Sequence, residues 1–113
     1  MPTMSRSSTI TERQVMRETM SFHAVHPGTI LKEELASRGL SAAAFALLLR
    51  VKPRRIQEIV AAKRAISPET SLRIGVALGT GGRIWLAMQQ AYDLRKAEIA
   101  MGDKIRAEVQ SAA

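Results

Sequence analysis

Short helical segments, each with its own start and stop signal, dominate the sequence after residue 26. Pro27, Pro53 and Pro68 suit the first turn of a helix, where the missing N–H costs nothing. Gly39 and Gly79 suit the position just past a helix end, where the backbone turns left-handed. Apolar residues recur three or four positions apart between these signals, and no segment shows strand alternation. The sequence therefore predicts an all-α fold of five compact helices with a C-terminal helical extension.

The first three predicted helices each have one apolar side, which we expect to be buried. These sides are Ile30, Leu31 and Leu35, then Ala42, Phe45 and Leu49, then Ile56, Ile59 and Val60. Ser41 and Ser67 are expected to cap the second and fourth helices through their hydroxyl groups. Gly81 and Gly82 are expected to form a hinge before a long fifth helix.

The predicted fifth helix continues into a narrow apolar seam in which Ala87, Ala91, Leu94, Ala97, Met101 and Ile105 follow at spacings of three or four. The seam could lie back on its own domain or contact a partner helix. We expect a homodimer, because a four-helix core leaves little to cover the seam. The predicted interface comprises Trp85, Met88, Tyr92, Leu94, Met101 and Ile105. Gly102 and Asp103 could break the helix, with Asp103 capping a final short one.

Composition excludes several function classes. A length of 113 residues favours one domain, and the absence of cysteine excludes disulfides and thiolate metal sites. His23 and His26 have no carboxylate at a ligand spacing, so neither a metal nor another cofactor is expected. No Gly-rich phosphate loop is present, and the adjacent Glu33 and Glu34 are interpreted as a solvated face, so the chain is not expected to be an enzyme. No apolar run approaches a membrane span or a signal sequence, and a cytoplasmic location is expected.

Positive charge is concentrated on the third predicted helix. Six basic residues and one acid, Glu58, lie between Arg50 and Arg64, in a chain of net charge +7. With the apolar stripe inward, Arg54, Gln57 and Glu58 point outward, where such side chains can read base edges in the major groove. The alternative is a solvated face on which Arg54 and Glu58 simply pair four residues apart. The excess of positive charge favours double-stranded DNA, bound by a helix-turn-helix.

Several motifs resemble those of one known family. HPGTILKEELASRGLS, KRAISPETSLRIGVALGT and WLAMQQAYDL, between about Val25 and Lys96, resemble the HigA-type (VapI-like) antitoxins of HigB/HigA toxin–antitoxin systems. These belong to the lambda-repressor-like Cro/C1 (XRE) helix-turn-helix domains. The resemblance implies a homodimer that binds operator DNA, represses its own operon and inhibits a RelE-like, mRNA-cleaving toxin.

The resemblance also implies which residues meet DNA. Pro53, Arg54, Arg55, Gln57 and Glu58 match the first turns of the family's base-reading helix, and Ser41 and Lys63 match phosphate contacts. The flanking cations Arg50, Lys52 and Arg64 complete the predicted DNA-binding set. Arg50 and Ala62 replace two glycines that are usual in the family, and Lys52 replaces its usual Ser or Thr cap.

The sequence also predicts a domain organisation and leaves one functional alternative open. We expect a flexible arm at residues 1–22, a Cro/C1-type domain at 23–96 and a helical tail at 97–113, and translation could also start at Met20. A stand-alone helix-turn-helix regulator with no toxin partner would carry the same domain. A reading frame for a RelE-like toxin just upstream would decide between the two. RNA is a weaker partner, because no exposed aromatic platform is present for base stacking.

Overall fold

The computed structural model describes residues 25–112, which fold into five α-helices without a strand. The all-α prediction is therefore confirmed for this part of the chain, whereas the predicted arm of residues 1–22 lies outside it. The helices are α1 (Pro27–Ser37), α2 (Ala42–Leu49), α3 (Pro53–Val60), α4 (Pro68–Leu78) and α5 (Arg83–Glu108).

The predicted helix starts are confirmed. Pro27, Pro53 and Pro68 each lie in the first turn of α1, α3 and α4. The hydroxyl of Ser41 accepts a hydrogen bond from the N–H of Ala44 (3.0 Å) at the start of α2. Ser67 likewise caps α4 by accepting from Thr70 (3.2 Å). Local sequence alone is enough to place these starts, because each cap satisfies N–H groups that the helix itself leaves unpaired.

The ends of α1, α2 and α3 share one closing geometry. In each, a residue with left-handed backbone donates to the carbonyl three positions back, and the next residue donates to the carbonyl five positions back. The left-handed residues are Gly39 (φ 68°), Arg50 (φ 61°) and Ala62 (φ 61°). After α3, Ala62 N–H donates to Ile59 (2.9 Å) and Lys63 N–H donates to Glu58 (2.8 Å). Arg50 and Ala62 are the non-glycine residues with positive φ in the described chain. A side chain there costs about 1–2 kcal/mol.

A small core lies where α1, α2, α3, α4 and the first turns of α5 meet. Leu31, Phe45, Ile56, Ile59 and Trp85 are fully buried in it. The predicted inward stripes of α1, α2 and α3 are therefore confirmed, with Ile30, Ala42 and Val60 partly buried at their edges.

One acid lies where solvent was expected. Glu33 is exposed, but Glu34 is only 5 % exposed and accepts from Arg38 at 2.7 Å. The prediction of a solvated face is therefore wrong for Glu34. Its position three residues after Leu31 brings it round to the buried side of α1, where the guanidinium compensates its charge.

His26 joins the start of α1 to α5. Its Nδ1 atom accepts from the N–H of Gly28 (2.9 Å), and its ring meets Tyr92 edge-on, with 4.9 Å between centroids. Burial lowers the pKa of His26, although nearby Asp93 acts in the opposite direction. Gly28 is required where the start of α1 passes close to α3, because a Cβ there would collide with the carbonyl oxygen of Ile59. The neutral imidazole thus acts as the N-terminal cap of α1.

The long fifth helix is not broken at Gly102. α5 runs without interruption to Glu108, so the predicted break and the short final helix are wrong. A glycine inside a helix costs only about 1 kcal/mol, too little to break this one. Asp103 instead pairs with Arg106 at 2.6 Å inside the helix. The predicted boundary between domain and tail, at residue 96, therefore lies within one continuous helix.

Candidate nucleic-acid interface

Helix α3 has sharply distinct sides. Ile56 and Ile59 are fully buried, whereas the side chain of Arg54 is 84 % exposed and Gln57 is also exposed. Arg55 lies between these two directions and is partly exposed. A short helix that follows α2 across a tight turn and holds Arg and Gln outward has the geometry of a recognition helix.

Glu58 is held between two arginines. One of its carboxylate oxygens accepts from Nε of Arg54 (3.0 Å), and the other lies 2.9 Å from Nε of Arg64. The hydrogen bond from Arg54, together with the charge of Arg64, lowers the pKa of Glu58. The free protein therefore combines the two alternatives: Arg54 points outward, and it is also paired with Glu58. For either side chain to meet a base edge, this exposed pair must open, which costs little at such exposure.

Six of the predicted DNA-binding residues line one open cavity of about 700 Å³, together with three others. The predicted residues are Arg50, Lys52, Pro53, Arg54, Arg55 and Arg64, and the others are Val51, Glu69 and Arg73. Six side chains in this lining are cationic and one is anionic. Such a concave cationic surface is suited to polyanions. Ser41, Gln57, Glu58 and Lys63 lie outside the lining.

The sequence reasoning missed Arg73 and Glu69 on α4. Arg73 donates to the carbonyl of Leu49 (2.9 Å), next to the left-handed Arg50, and also to Glu69 (3.0 Å). Glu69 in turn lies 3.5 Å from Arg55 on α3. The hydrogen bond and charge of Arg73 lower the pKa of Glu69. The spacing of Glu69 and Arg73 by four residues on α4 is the signal that could have indicated this pair.

The remaining predicted phosphate contacts lie at the edges of this surface. Ser41 is exposed at the N-terminus of α2, where unpaired N–H groups attract anions. Lys52 precedes α3 without a side-chain capping bond, and Lys63 follows its end; both are exposed. Their direct contact with phosphate stays a prediction.

Two residues of the predicted dimer interface belong to the monomer core. Trp85 and Met88 are 0 % and 1 % exposed, so they are out of reach of a partner. They face inward because the first turns of α5 pack on the helices of the domain. Tyr92 is partly buried beside His26, and Leu94, Met101 and Ile105 are exposed further along α5. The seam is therefore exposed only from Leu94 onward.

Residues 25–112 contain neither a metal-binding cluster nor a membrane-spanning helix. No group of three or more His, Asp or Glu side chains there is arranged to hold a metal ion. None of the five helices combines the length and apolar character needed to cross a bilayer. His26 is engaged as a helix cap, and His23 lies outside the described residues.

Known proteins are similar to this chain in sequence and in fold. A family model described as helix-turn-helix matches residues 31–85. Virulence-associated protein I of Dichelobacter nodosus is 51 % identical over 76 residues, which are 66 % of this chain and 70 % of that protein.

Two solved structures are also similar. An addiction module antidote protein of a HigA family from Coxiella burnetii is 36 % identical, with a TM-score of 0.76 over 80 % of this chain and 99 % of its own. The Pseudomonas aeruginosa antitoxin HigA, solved with the higBA promoter, is 33 % identical, with a TM-score of 0.78 over 80 % of this chain and 100 % of its own. The chain therefore belongs to the Cro/C1-type helix-turn-helix family, among its HigA-like and virulence-associated protein I-like members.

Proposed function

We propose that the protein is an antitoxin that binds operator DNA as a homodimer, represses its own toxin–antitoxin operon and neutralises a RelE-like, mRNA-cleaving HigB toxin. The observation that carries the DNA-binding part is the cationic cavity beside the outward face of α3. The likeness to a HigA antitoxin solved with its promoter supports the same part.

The chemistry of the exposed side chains determines what each would do on DNA. Arg54 can donate two hydrogen bonds to the major-groove edge of guanine, and Gln57 can pair with adenine. Lys52 and Lys63 act as point charges for phosphates, which fix position without reading sequence. Ser41 keeps its hydroxyl hydrogen for a phosphate while its oxygen caps α2.

Binding to operator DNA can be tested by fluorescence anisotropy. The probe is a labelled duplex from the DNA upstream of the first reading frame of the operon, and the control is a scrambled duplex of equal composition. We expect the upstream duplex to bind at least ~10³-fold more tightly at physiological salt. Equal affinity for the two duplexes would contradict the proposal of an operator-binding repressor.

The toxin part needs a separate test. An upstream frame encoding a RelE-like protein would be expressed alone and together with this chain, and growth and mRNA integrity would be followed. We expect the toxin alone to arrest growth, and co-expression to restore growth and to yield a complex that co-purifies. If no such frame exists, or if co-expression does not restore growth, the stand-alone regulator is the better description.

A further inference from the structure

We infer that Arg73 on α4 is a positioning residue for the recognition helix: it contacts no DNA itself but fixes the orientation in which α3 meets the major groove. Arg73 donates to the carbonyl of Leu49 at the end of α2. Through Glu69 it is also linked to Arg55 on α3. The inference rests on the proposed function, in which α3 reads operator DNA.

The turn between α2 and α3 is held from outside by Arg73. The last carbonyls of a helix have no partner within the helix. That of Leu49 accepts from Nη1 of Arg73 at 2.9 Å, a charge-assisted hydrogen bond. The next residue, Arg50, has left-handed backbone (φ 61°), and strain of this kind persists only where the surroundings hold it. Arg73 therefore stabilises the turn from which α3 starts at Pro53.

The same guanidinium reaches α3 through one carboxylate. Nε and Nη2 of Arg73 donate to one oxygen of Glu69 at 3.1 and 3.0 Å. The other oxygen of Glu69 lies 3.5 Å from Nη1 of Arg55, which is also 3.5 Å from the hydroxyl of Thr70. These long distances make Arg55 the weakest point of the link. Among the described helices, α3 packs on α1 and α2 but has no close backbone approach to α4, so these side chains join the two helices.

The alternative is that Arg73, which lines the basic cavity, is one more cation for phosphate. All three nitrogen atoms of its guanidinium already donate within the protein, to Leu49 and to Glu69. Its side chain is 40 % exposed, compared with 84 % for Arg54. A guanidinium engaged on every nitrogen is better suited to fixing its neighbours than to binding phosphate. Side chains that read bases need such fixed surroundings to keep their geometry.

Three substitutions at this link separate positioning from charge. Arg73→Ala removes a positive charge, Arg73→Lys keeps it, and Glu69→Ala removes a negative charge. If only charge mattered, affinity for all duplexes would fall, stay constant and rise, respectively, and the ratio of operator to scrambled-duplex affinity would not change. If Arg73 positions α3, all three variants lower this ratio, because lysine lacks the planar fork that serves a carbonyl and a carboxylate together.

Anisotropy titrations of the full chain measure this ratio and its salt dependence. We expect the ratio to fall by about tenfold for Arg73→Ala, within the range of one lost base contact, and by less for the other two variants. The salt slope of Arg73→Ala should equal that of the parent. Lys52→Ala, which removes another cation of the same cavity, is the matched control: it should reduce the slope by about one and keep the ratio. Circular dichroism checks folding, and if Arg73→Ala does not fold, Glu69→Ala decides alone.

Amide hydrogen exchange of the free protein gives a second measurement that needs no DNA. The N–H of Val51 donates to Ala46 (3.1 Å) in the turn beside Arg73, and the N–H of Leu40 donates to Leu35 (2.9 Å) in the same geometry after α1. Arg73→Ala should speed exchange at Val51 by about tenfold, as expected for the loss of a charge-assisted hydrogen bond, and leave Leu40 unchanged.

The two measurements distinguish failure of the inference from failure of the proposed function. An unchanged affinity ratio in Arg73→Ala, a ratio fully restored by Arg73→Lys, or equal exchange at Val51 in parent and variant would overturn the inference. A parent that binds the operator and scrambled duplexes equally would instead contradict the proposed function. Faster exchange at Val51 in Arg73→Ala would then still support the role of Arg73 in holding the turn before α3.

Discussion

Replacing Ala62 by glycine should stabilise the protein. Ala62 has φ 61° and closes α3 with two hydrogen bonds that glycine would keep. Removing the Cβ relieves about 1–2 kcal/mol of left-handed strain, while the added freedom of glycine in the unfolded chain costs about 0.4–1 kcal/mol. Ala62 is exposed, so no packing is lost. We therefore expect the free energy of unfolding to rise by about 0.5–1 kcal/mol, measured by urea denaturation, and Tm to rise by about 2–8 °C.

A matched control lies one residue earlier. Ala61 is also exposed but has φ −86°, which alanine adopts without strain. Ala61→Gly should therefore lower the stability by up to about 1 kcal/mol. If Ala62→Gly lowers stability as Ala61→Gly does, the argument from left-handed strain is refuted.

Arg50→Gly extends this reasoning to a residue of the proposed DNA-binding surface. Arg50 is equally left-handed, and it also lines the basic cavity. Glycine should raise the stability by a similar amount but remove one cation from the proposed DNA surface. Tm should therefore rise, while the slope of log affinity against log salt concentration decreases in magnitude by about one. An unchanged salt dependence would show that Arg50 does not neutralise a phosphate.

Three further outcomes are expected. Arg54→Ala should cost about 1–3 kcal/mol of operator binding and relax discrimination at one base pair, whereas Lys63→Ala should weaken binding to all duplexes alike; titration against single-base operator variants distinguishes them. Deleting residues 1–19 should leave operator affinity within about twofold, and a larger loss in anisotropy would place the arm in the DNA site. The lowered pKa of His26 makes the unfolded chain the better proton acceptor below its ordinary value of 6.5. Stability should therefore fall as the pH drops from 6.5 towards that lowered pKa and be steady above it. His26→Asn, which keeps a capping oxygen, should flatten this part of the Tm profile.

Much of the fold could be predicted because it depends on local signals. The capping hydroxyls of Ser41 and Ser67 and the prolines of α1, α3 and α4 act within one helical turn. The buried stripe of α3 follows from apolar residues that recur three or four positions apart. The position of Ala62 as a family departure was visible in the sequence, but its left-handed backbone was not, because alanine carries no local preference for that conformation.

The rest of the fold and of the candidate site depends on which helices meet in space. Periodicity places Trp85, Met88 and Leu94 on apolar positions of α5, but it cannot say that the first two meet their own domain and the third does not. Arg73 contacts the carbonyl of Leu49 across 24 positions of sequence, a contact that only the packing of α4 against α2 creates. The same limit explains why Glu34 was assigned to solvent.

The two carboxylates held among the arginines affect how the protein would behave in a cell crowded with RNA and chromosomal DNA. Glu58 is paired with Arg54 and Arg64, and Glu69 is paired with Arg73, before any nucleic acid binds. In the proposed complex, a phosphate chain of arbitrary sequence must displace these anions or lie beside them, so its binding is slightly weakened. A correct site in the proposed complex would compensate by offering guanine edges to Arg54 and an amino donor to Glu58. Since a genome presents ~10⁶ or more competing sites, shorter dwell times on wrong sequences would free the protein to search for its target.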